Sequence, residues 1–520
     1  MANIFNSIKV PRYGRNRFNL SHDNKFSCNF GELIPIDIYE TLPGDTWRLN
    51  YECMSRLAPM LAPIYGDCDL KFESFFIPMR LVWQNSKYFL SGFNADGTPN
   101  KSVYPTIGGH TPSAYYVGSI FDFLGLPVNP TTSSGTINYN STASVLPLRC
   151  YSLLWNEYYR DQNIDDPIQI PLTDGVDNWA WYPMMNNRPD PLKRRWRKDY
   201  FTSALPWAQR GEPVNIPVVN PGGIAVGAND IASGDFYQGF ANGSDGVTFE
   251  GNTADQGLIT DPNASEGGTV TINDLRNAFA LQHVQELSAR VGARYIEFVK
   301  GFWGVNSSDA RLQRPEMIGG ASFPIRVAEV LQTSETTTSS PQGDMTGHGL
   351  GVGGTGRFKY YCEEHGFIMT LFSIVPHRAD YMQGLPRMYQ KFDRLDYGLP
   401  QLAHLGEQEV KNSEIYYDGT SLDSQTFGYQ SRYAEYKFKL NEIHGDFRTS
   451  LNYWHLSRMF SSRPVLNSQF LEVNGSSGDN SLNRIFAVQG DTDKFWNYCK
   501  CNVTVKRKLP LYSVPGLEKL

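Results

Sequence analysis

The run "GFIMTLFSIV" (366–375) carries no charge, mixes aromatic with β-branched residues, and lies between Gly366 and Pro376. A run this short and uncharged reads as a strand covered on both sides, and it calls for partner strands. Several candidates follow the same logic. "FPIRVAEVLQ" (323–332) and "CNVTVKRKL" (501–509) are β-branched or aromatic runs bounded by turns. "GELIPIDIYETLPGDTWRLNYECMSRLAPM" (31–60) and "DLKFESFFIPMRLVW" (69–83) read as two long strand regions. In "AEYKFKL" (434–440), Tyr436, Phe438 and Leu440 alternate with Glu435, Lys437 and Lys439, the period of a half-buried strand. One segment predicts a helix: from Thr271 to Lys300, Leu281, Val284, Leu287, Val291, Tyr295 and Phe298 recur at steps of three and four, with Thr271 or Asn273 as cap. "LLWNEYYRDQN" (153–163) is a shorter helix candidate. Many strands, few helices and long insertions predict a mainly β chain, a β-sandwich or jelly roll.

Composition supports a large core rather than a disordered chain: 19% of the 520 residues are charged and 13% aromatic. The length alone suggests about three domains, but β-rich chains often run long as one. No stretch of 18 apolar residues occurs, so no membrane span is expected, and "MANIFNSIKVPRYGRNRF" lacks the apolar run of a signal peptide. Seven cysteines (Cys28, Cys53, Cys68, Cys150, Cys362, Cys499, Cys501) form no CxxC pair and no Cys/His ligand spacing; free thiols in a reducing compartment are expected. Cys499 and Cys501 share one face of their strand.

Charge is distributed unevenly. The net charge is −6, yet the segment from Arg210 to Arg276 contains nine acids and no intervening Lys or Arg, leaving +3 for the rest (−6 + 9). The block "NPGGIAVGANDIASGDFYQGFANGSDGVTFEGNTADQGLITDPNASEGG" (220–268) has neither helical nor strand period over any length. It reads as an exposed excursion, with Phe236, Tyr237, Phe240 and Phe249 enough for a small ordered subdomain over 212–270. Both termini are basic. "KRRWRKDYFTSALPWAQRG" (193–211) packs Lys193, Arg194, Arg195, Arg197 and Lys198 around Trp196. Such a cluster serves as a solvated face with Trp196 plugging the core, or grips phosphates while the indole stacks on a base.

Catalytic machinery is not apparent. "GHGLGVGG" (347–354) lacks the following Lys-Ser/Thr and the helix of a phosphate loop, and is expected to be a flexible loop between strands. Glu363, Glu364 and His365 alternate faces if extended, so a solvated face or local salt bridge is the better reading than a metal or acid–base site. Asp165-Asp166 has no identifiable catalytic partner, and neither GxSxG nor HExxH is present. Carboxylate pairs of glycosidases are spaced in three dimensions. A β-sandwich carbohydrate-active enzyme and a carbohydrate-binding adhesin therefore stand as alternatives.

Motifs along nearly the whole chain carry a resemblance. They include "FNLSHDNKFSCNFGELIPIDIYETLPGDTWRLN", "FESFFIPMRLVW", "WNEYYRDQN", "RKDYFTSALPWAQRG", "EHGFIMTLFSIVPHRADYMQGLPRMYQKFDRLDYGLPQLAHLGEQEV", "FGYQSRYAEYKFKLNEIHGDFR", "LNYWHLSR" and "LPLYSVPGL". In this order the chain resembles the major capsid proteins of the Microviridae, phages with circular single-stranded DNA, of the gokushovirus type. The resemblance implies an eight-stranded jelly roll over 1–520 and sixty copies in a T=1 icosahedral shell; from the residues themselves no catalytic group, cofactor or metal site is expected. Implied partners are the chain itself, the single-stranded DNA genome, a small basic DNA-packaging protein, an internal scaffolding protein, a pilot protein for DNA delivery and a host-cell receptor. Implied location is the virion, assembled in the bacterial cytoplasm. The insert at 212–270 is then an exterior threefold protrusion carrying Phe236, Tyr237, Phe240 and Phe249 towards a receptor. Lys193, Arg194, Arg195, Trp196, Arg197 and Lys198, with Lys506, Arg507 and Lys508, are expected on the inner surface against DNA or packaging protein, unless the cluster pairs with acids of a neighbouring subunit. Sixty chains at +3 supply about 180 charges, while this gene alone needs 1,560 nucleotides (520 × 3), so a separate basic protein is required.

Overall fold

Ten strands build one antiparallel sheet: β1 (Asn16–Asn19), β2 (His22–Cys28), β3 (Ile34–Thr41), β4 (Thr46–Leu57), β5 (Cys68–Pro78), β6 (Glu316–Leu331), β7 (Met345–Gly354), β8 (Phe358–Tyr361), β9 (Gly366–Pro376) and β10 (Phe495–Arg507). The structure is a computed structural model that describes residues 14–108, 115–128, 143–184, 188–211, 226–230, 236–238, 256–260, 272–292, 294–331, 333, 345–474, 482–488 and 492–512; for 226–260 and for Ile272 and Asp274 it describes backbone only. The order across the sheet is β1-β10-β4-β7-β6-β5-β9-β3, with β2 also on β10 and β8 also on β4.

The sixteen-residue β6 turns this sheet into a sandwich. Its first part, Glu316–Ile325, pairs with β5, and its second part, Arg326–Leu331, pairs with β7. One strand thus serves two faces, and the sheet curls around its own core. Strand β4 alternates strictly, burying Trp47, Leu49, Tyr51, Cys53 and Leu57. From there Tyr51 stacks on Phe72 of β5 (6.0 Å between centroids), and its hydroxyl meets Thr370 of β9 at 2.8 Å. These contacts join the two faces. Strand β9 is buried along its whole length because both of its sides are covered. Ile368, Phe372 and Ile374 enter the sandwich core, while Phe367, Met369 and Leu371 enter a second core with helix Leu146–Leu154 and Trp83, Trp179 and Tyr182.

The curl also brings the two ends of the sheet together. Asn24 of β2 donates to the Ile36 carbonyl of β3 (2.7 Å), and His22 Nε2 pairs with Asp37 Oδ1 at 3.0 Å. All seven cysteines are free and buried. Cys499 and Cys501 lie on the buried side of β10, as the strand period requires, with Cys499 Sγ 2.9 Å from Cys53 Sγ.

Several expectations need correction. "GHGLGVGG" is not a loop; it is most of β7, laddered to β4 and β6. Its glycines leave room for neighbours: a Cβ on Gly349 would meet Leu57, on Gly351 Leu70, and on Gly353 the ring of Phe323. Gly353→Val is therefore expected to cost about 1–3 kcal/mol by overpacking, read as a lowered urea midpoint with unchanged slope. "AEYKFKL" forms no strand; Ala434–Tyr436 is a single 3₁₀ turn entered through Tyr433 at φ +60°, and an alternating pattern without a ladder partner does not hold a strand. The long helix is two, Ile272–Val291 and Tyr295–Trp303. Gly292 between them has φ +108°, the left-handed conformation that ends a helix. Thr271 lies outside the described residues. The shorter helix starts earlier than expected, at Leu146, and closes with a π turn over Trp155–Tyr159.

Residues 1–207 with 292–520 form one compact unit, and residues 208–291 a second. The second holds strands Val226–Asp230, Phe236–Gln238 and Gln256–Thr260, with the first of these central, and helix Ile272–Val291. This second unit extends past residue 270 and takes in that helix.

Candidate interaction surfaces

The basic segment is extended because two other segments zip it on either side. Arg194 N donates to the Gly31 carbonyl (2.7 Å), Val473 N to the Arg194 carbonyl (2.9 Å), and Trp196 N to the Leu471 carbonyl (2.8 Å). Its side chains then alternate into separate environments. Lys193 meets Glu32 at 2.9 Å. Arg194 makes a two-pronged pair with Glu73 (2.8 and 3.0 Å), donates to the Ser373 hydroxyl (3.1 Å), and lies over the Tyr159 ring. Arg195 pairs with Asp165 (2.6 Å) and Glu472 (2.7 Å) and lies over Trp155. Lys198 pairs with Asp161, although 58% of its side chain remains exposed. Trp196 is only 5% exposed and sits in the sandwich core beneath the Arg458 guanidinium. An indole so placed has no face to offer a base, which corrects that part of the expectation. Arg197 is exposed, and the group it meets is the His377 ring at 3.4 Å rather than a carboxylate.

Electrostatics follow the geometry. Burial alone would raise the Glu73 carboxyl, but the adjacent Arg194 charge and hydrogen bonds from Arg194 and Tyr159 outweigh it and hold Glu73 below its ordinary value. Asp161 shows the same balance, with burial opposed by Lys198. Four of the five cations are thus neutralised within their own chain by acids distant in sequence.

The C-terminal cations divide similarly. Arg507 pairs with the buried Asp45 (2.6 Å) and lies over Trp47, while Lys506 and Lys508 on either side are exposed. Phe236 and Tyr237 fall on a short strand whose side chains are not described, and Phe240 and Phe249 lie outside the described residues. Glu364 makes a two-pronged pair with Arg80 (2.8 and 3.1 Å), the local salt bridge expected of that triplet. Asp165 serves Arg195.

A broad open concavity of about 2350 Å³ is bordered by β2, β3 and the segments 116–125, 183–184, 188–193, 460–474 and 492–498. Six Lys or Arg and six Asp or Glu line it among the described residues, so it is not a basic groove of the kind that grips a polyanion. His22 and Asp37 lie on its wall. Cys501 joins them from β10, one ligand-type atom from each of the three lying within 4.8 Å of the others. The spacing of Cys and His along the sequence gave no hint of this grouping, because its members come from three strands.

Comparison with known proteins places the chain. The family model described as capsid protein (F protein) matches residues 6–517. The capsid protein VP1 of Bdellovibrio phage phiMH2K is 36% identical over 90% of this chain and 90% of its own length. That of Chlamydia phage 1 is 32% identical over 100% and 98%. That of Spiroplasma virus 4 is 28% identical over 99% and 98%. A mostly β chain that curls one large sheet around its core, and matches these proteins almost end to end, belongs to the capsid protein (F protein) family of the Microviridae, structural proteins of the phage virion.

Proposed function

We propose that the chain assembles sixty-fold into a T=1 shell around a circular single-stranded DNA genome and has no catalytic activity of its own. The observation that supports this most is the extent of the match to a capsid protein family, residues 6–517. Full-length chain, expressed with its assembly partners, should sediment as a particle of about 3.5 MDa (60 × 58.7 kDa) with icosahedral outline in electron micrographs. A small oligomer would support the carbohydrate-binding alternatives instead. The partners we assign are a small basic packaging protein, an internal scaffolding protein, a pilot protein and a host receptor. The shortfall of positive charge motivates the first of them.

Contact with DNA or packaging protein is assigned to Arg197, Lys506 and Lys508, the exposed cations of the basic set that meet no carboxylate of their own chain among the described residues. Lys193, Arg194, Arg195 and Arg507 already have internal partners, and moving them to phosphates would strand the buried Asp165 and Asp45 and the half-buried Glu32 and Glu73. Replacing Arg197, Lys506 and Lys508 with Gln should leave shells intact and reduce the salt dependence of DNA release by about 0.7 in log–log slope per lost phosphate contact. Unchanged release with weakened shells would identify these cations as contacts between subunits.

The segment 212–270 is assigned to the exterior, where its eight acids, with no Lys or Arg among them, repel DNA. Shortening it to a Gly-Ser bridge is expected to leave assembly intact and impair adsorption to host cells. Loss of assembly would show that it carries shell contacts.

A further inference from the structure

We propose that His22, Asp37 and Cys501 form a site for zinc, or a divalent metal of similar softness, that clamps the two ends of the curled sheet together. An imidazole, a carboxylate and a thiol are a donor set suited to this metal class. One ligand atom from each lies within 4.8 Å of the other two, and the closest pair, His22 Nε2 and Asp37 Oδ1, is 3.0 Å apart.

The backbone fixes all three. His22 and Cys501 are directly opposed in the β2–β10 register, so their side chains emerge on the same face. Asp37 comes from β3 at the other end of the sheet. The β3–β9 register shifts beside it, with Asp37 opposite Thr370 and Pro35 opposite Leu371, leaving Ile36 as the extra residue. A bulge re-aims the side chains next to it.

Outer partners are in place as well. His22 Nδ1 donates to the Leu20 carbonyl (3.1 Å), which keeps that proton on Nδ1, so that Nε2, now donating to Asp37 at 3.0 Å, becomes the ligand once its own proton leaves. The Tyr39 hydroxyl donates to Asp37 Oδ2 at 2.8 Å, leaving Oδ1 towards His22. Asp37 and Cys501 are buried, whereas 43% of the His22 side chain is exposed on the concavity, so a metal enters from that side and water completes a tetrahedron. Binding displaces the His22 Nε2 proton and the Cys501 thiol proton, forming N–metal and S–metal bonds beside the Asp37 oxygen and releasing two protons to solvent, with no change of oxidation state.

The competing account is a plain His22–Asp37 ion pair with Cys501 as a bystander. Full-length chain stripped with a chelator would be titrated with Zn²⁺ and with Co²⁺. The site predicts about one equivalent per chain, and a Co²⁺ adduct with tetrahedral d–d bands and a thiolate-to-cobalt charge-transfer band. Cys501→Ser should abolish the charge-transfer band. His22→Gln, at a partly exposed position, should weaken binding by more than the roughly 10-fold seen on losing an outer-shell partner. Zn²⁺ should raise the thermal midpoint of the parent chain and not of His22→Gln. Absence of stoichiometric binding to the parent chain, or a charge-transfer band surviving in Cys501→Ser, or unaltered affinity in His22→Gln, would each overturn the proposal. The parent titration and His22→Gln decide the matter even where Cys501→Ser fails to fold.

Discussion

Arg194→Gln is expected to lower the stability of the unassembled chain by about 3 kcal/mol, because it leaves the half-buried Glu73 carboxylate without its counter-charge. The substitution removes two charge-assisted hydrogen bonds to Glu73 and one to Ser373, and a guanidinium over the Tyr159 ring. Urea unfolding would measure it, and a loss below about 0.5 kcal/mol would show that the pair is no more than a surface bridge. The pair also makes stability depend on pH. Glu73 is held below its ordinary value in the folded chain, so its contribution is complete above the unfolded value near 4.5 and disappears as pH falls through the lower folded value. The stability difference between parent and Arg194→Gln should therefore narrow below about pH 4.5. By contrast, Arg197→Gln should leave the urea midpoint within about 0.5 kcal/mol, since its side chain is exposed and meets only an imidazole. Two arginines three positions apart in one basic run thus have opposite expected phenotypes.

A larger loss, about 3–5 kcal/mol, is expected of Arg149→Met. Arg149 is fully buried in the second core, on helix Leu146–Leu154. Its guanidinium donates to Asp177 Oδ2 (3.1 and 2.7 Å) and to the carbonyls of Val82 and Thr173 (3.2 Å each). Asp177 in turn accepts from the Trp179 amide (2.8 Å) and the Trp181 indole (2.9 Å). Methionine fills a similar volume but satisfies none of these groups, so a buried carboxylate and two carbonyls lose a partner. Adding Asp177→Asn to Arg149→Met should recover part of the loss, a coupling that independent sites would not show. Additive losses in the double variant would refute the pairing.

The strand runs of β4, β5, β6, β9 and β10 were legible in the sequence because each is long and keeps one period, or an unbroken apolar stretch, between turn residues. Strand β7 was not. Its glycines look like a loop until Leu57, Leu70 and Phe323 are seen filling the space their side chains would occupy. "AEYKFKL" failed in the opposite way: the alternation is present, but no strand lies alongside to pair with it.

The charged segment draws the same line. Its cations and its indole are local facts, and from them come the basic character of residues 193–198 and the separation of positive ends from an acidic insert. Which cations are available is not a local fact. Glu32, Glu73, Asp161, Asp165 and Glu472 reach the segment from four other stretches of chain, and their ion pairs convert most of a presumed binding patch into an internal tie. His22, Asp37 and Cys501 came together in the same manner, across the seam where β2 and β3 meet. Sequence by itself determined the period of the long apolar strands and the sign of each region, since both depend on neighbours along the chain. Tertiary structure alone decided the partner of each charge, because ion pairing falls off within a few ångströms and those distances are set by how the sheet curls.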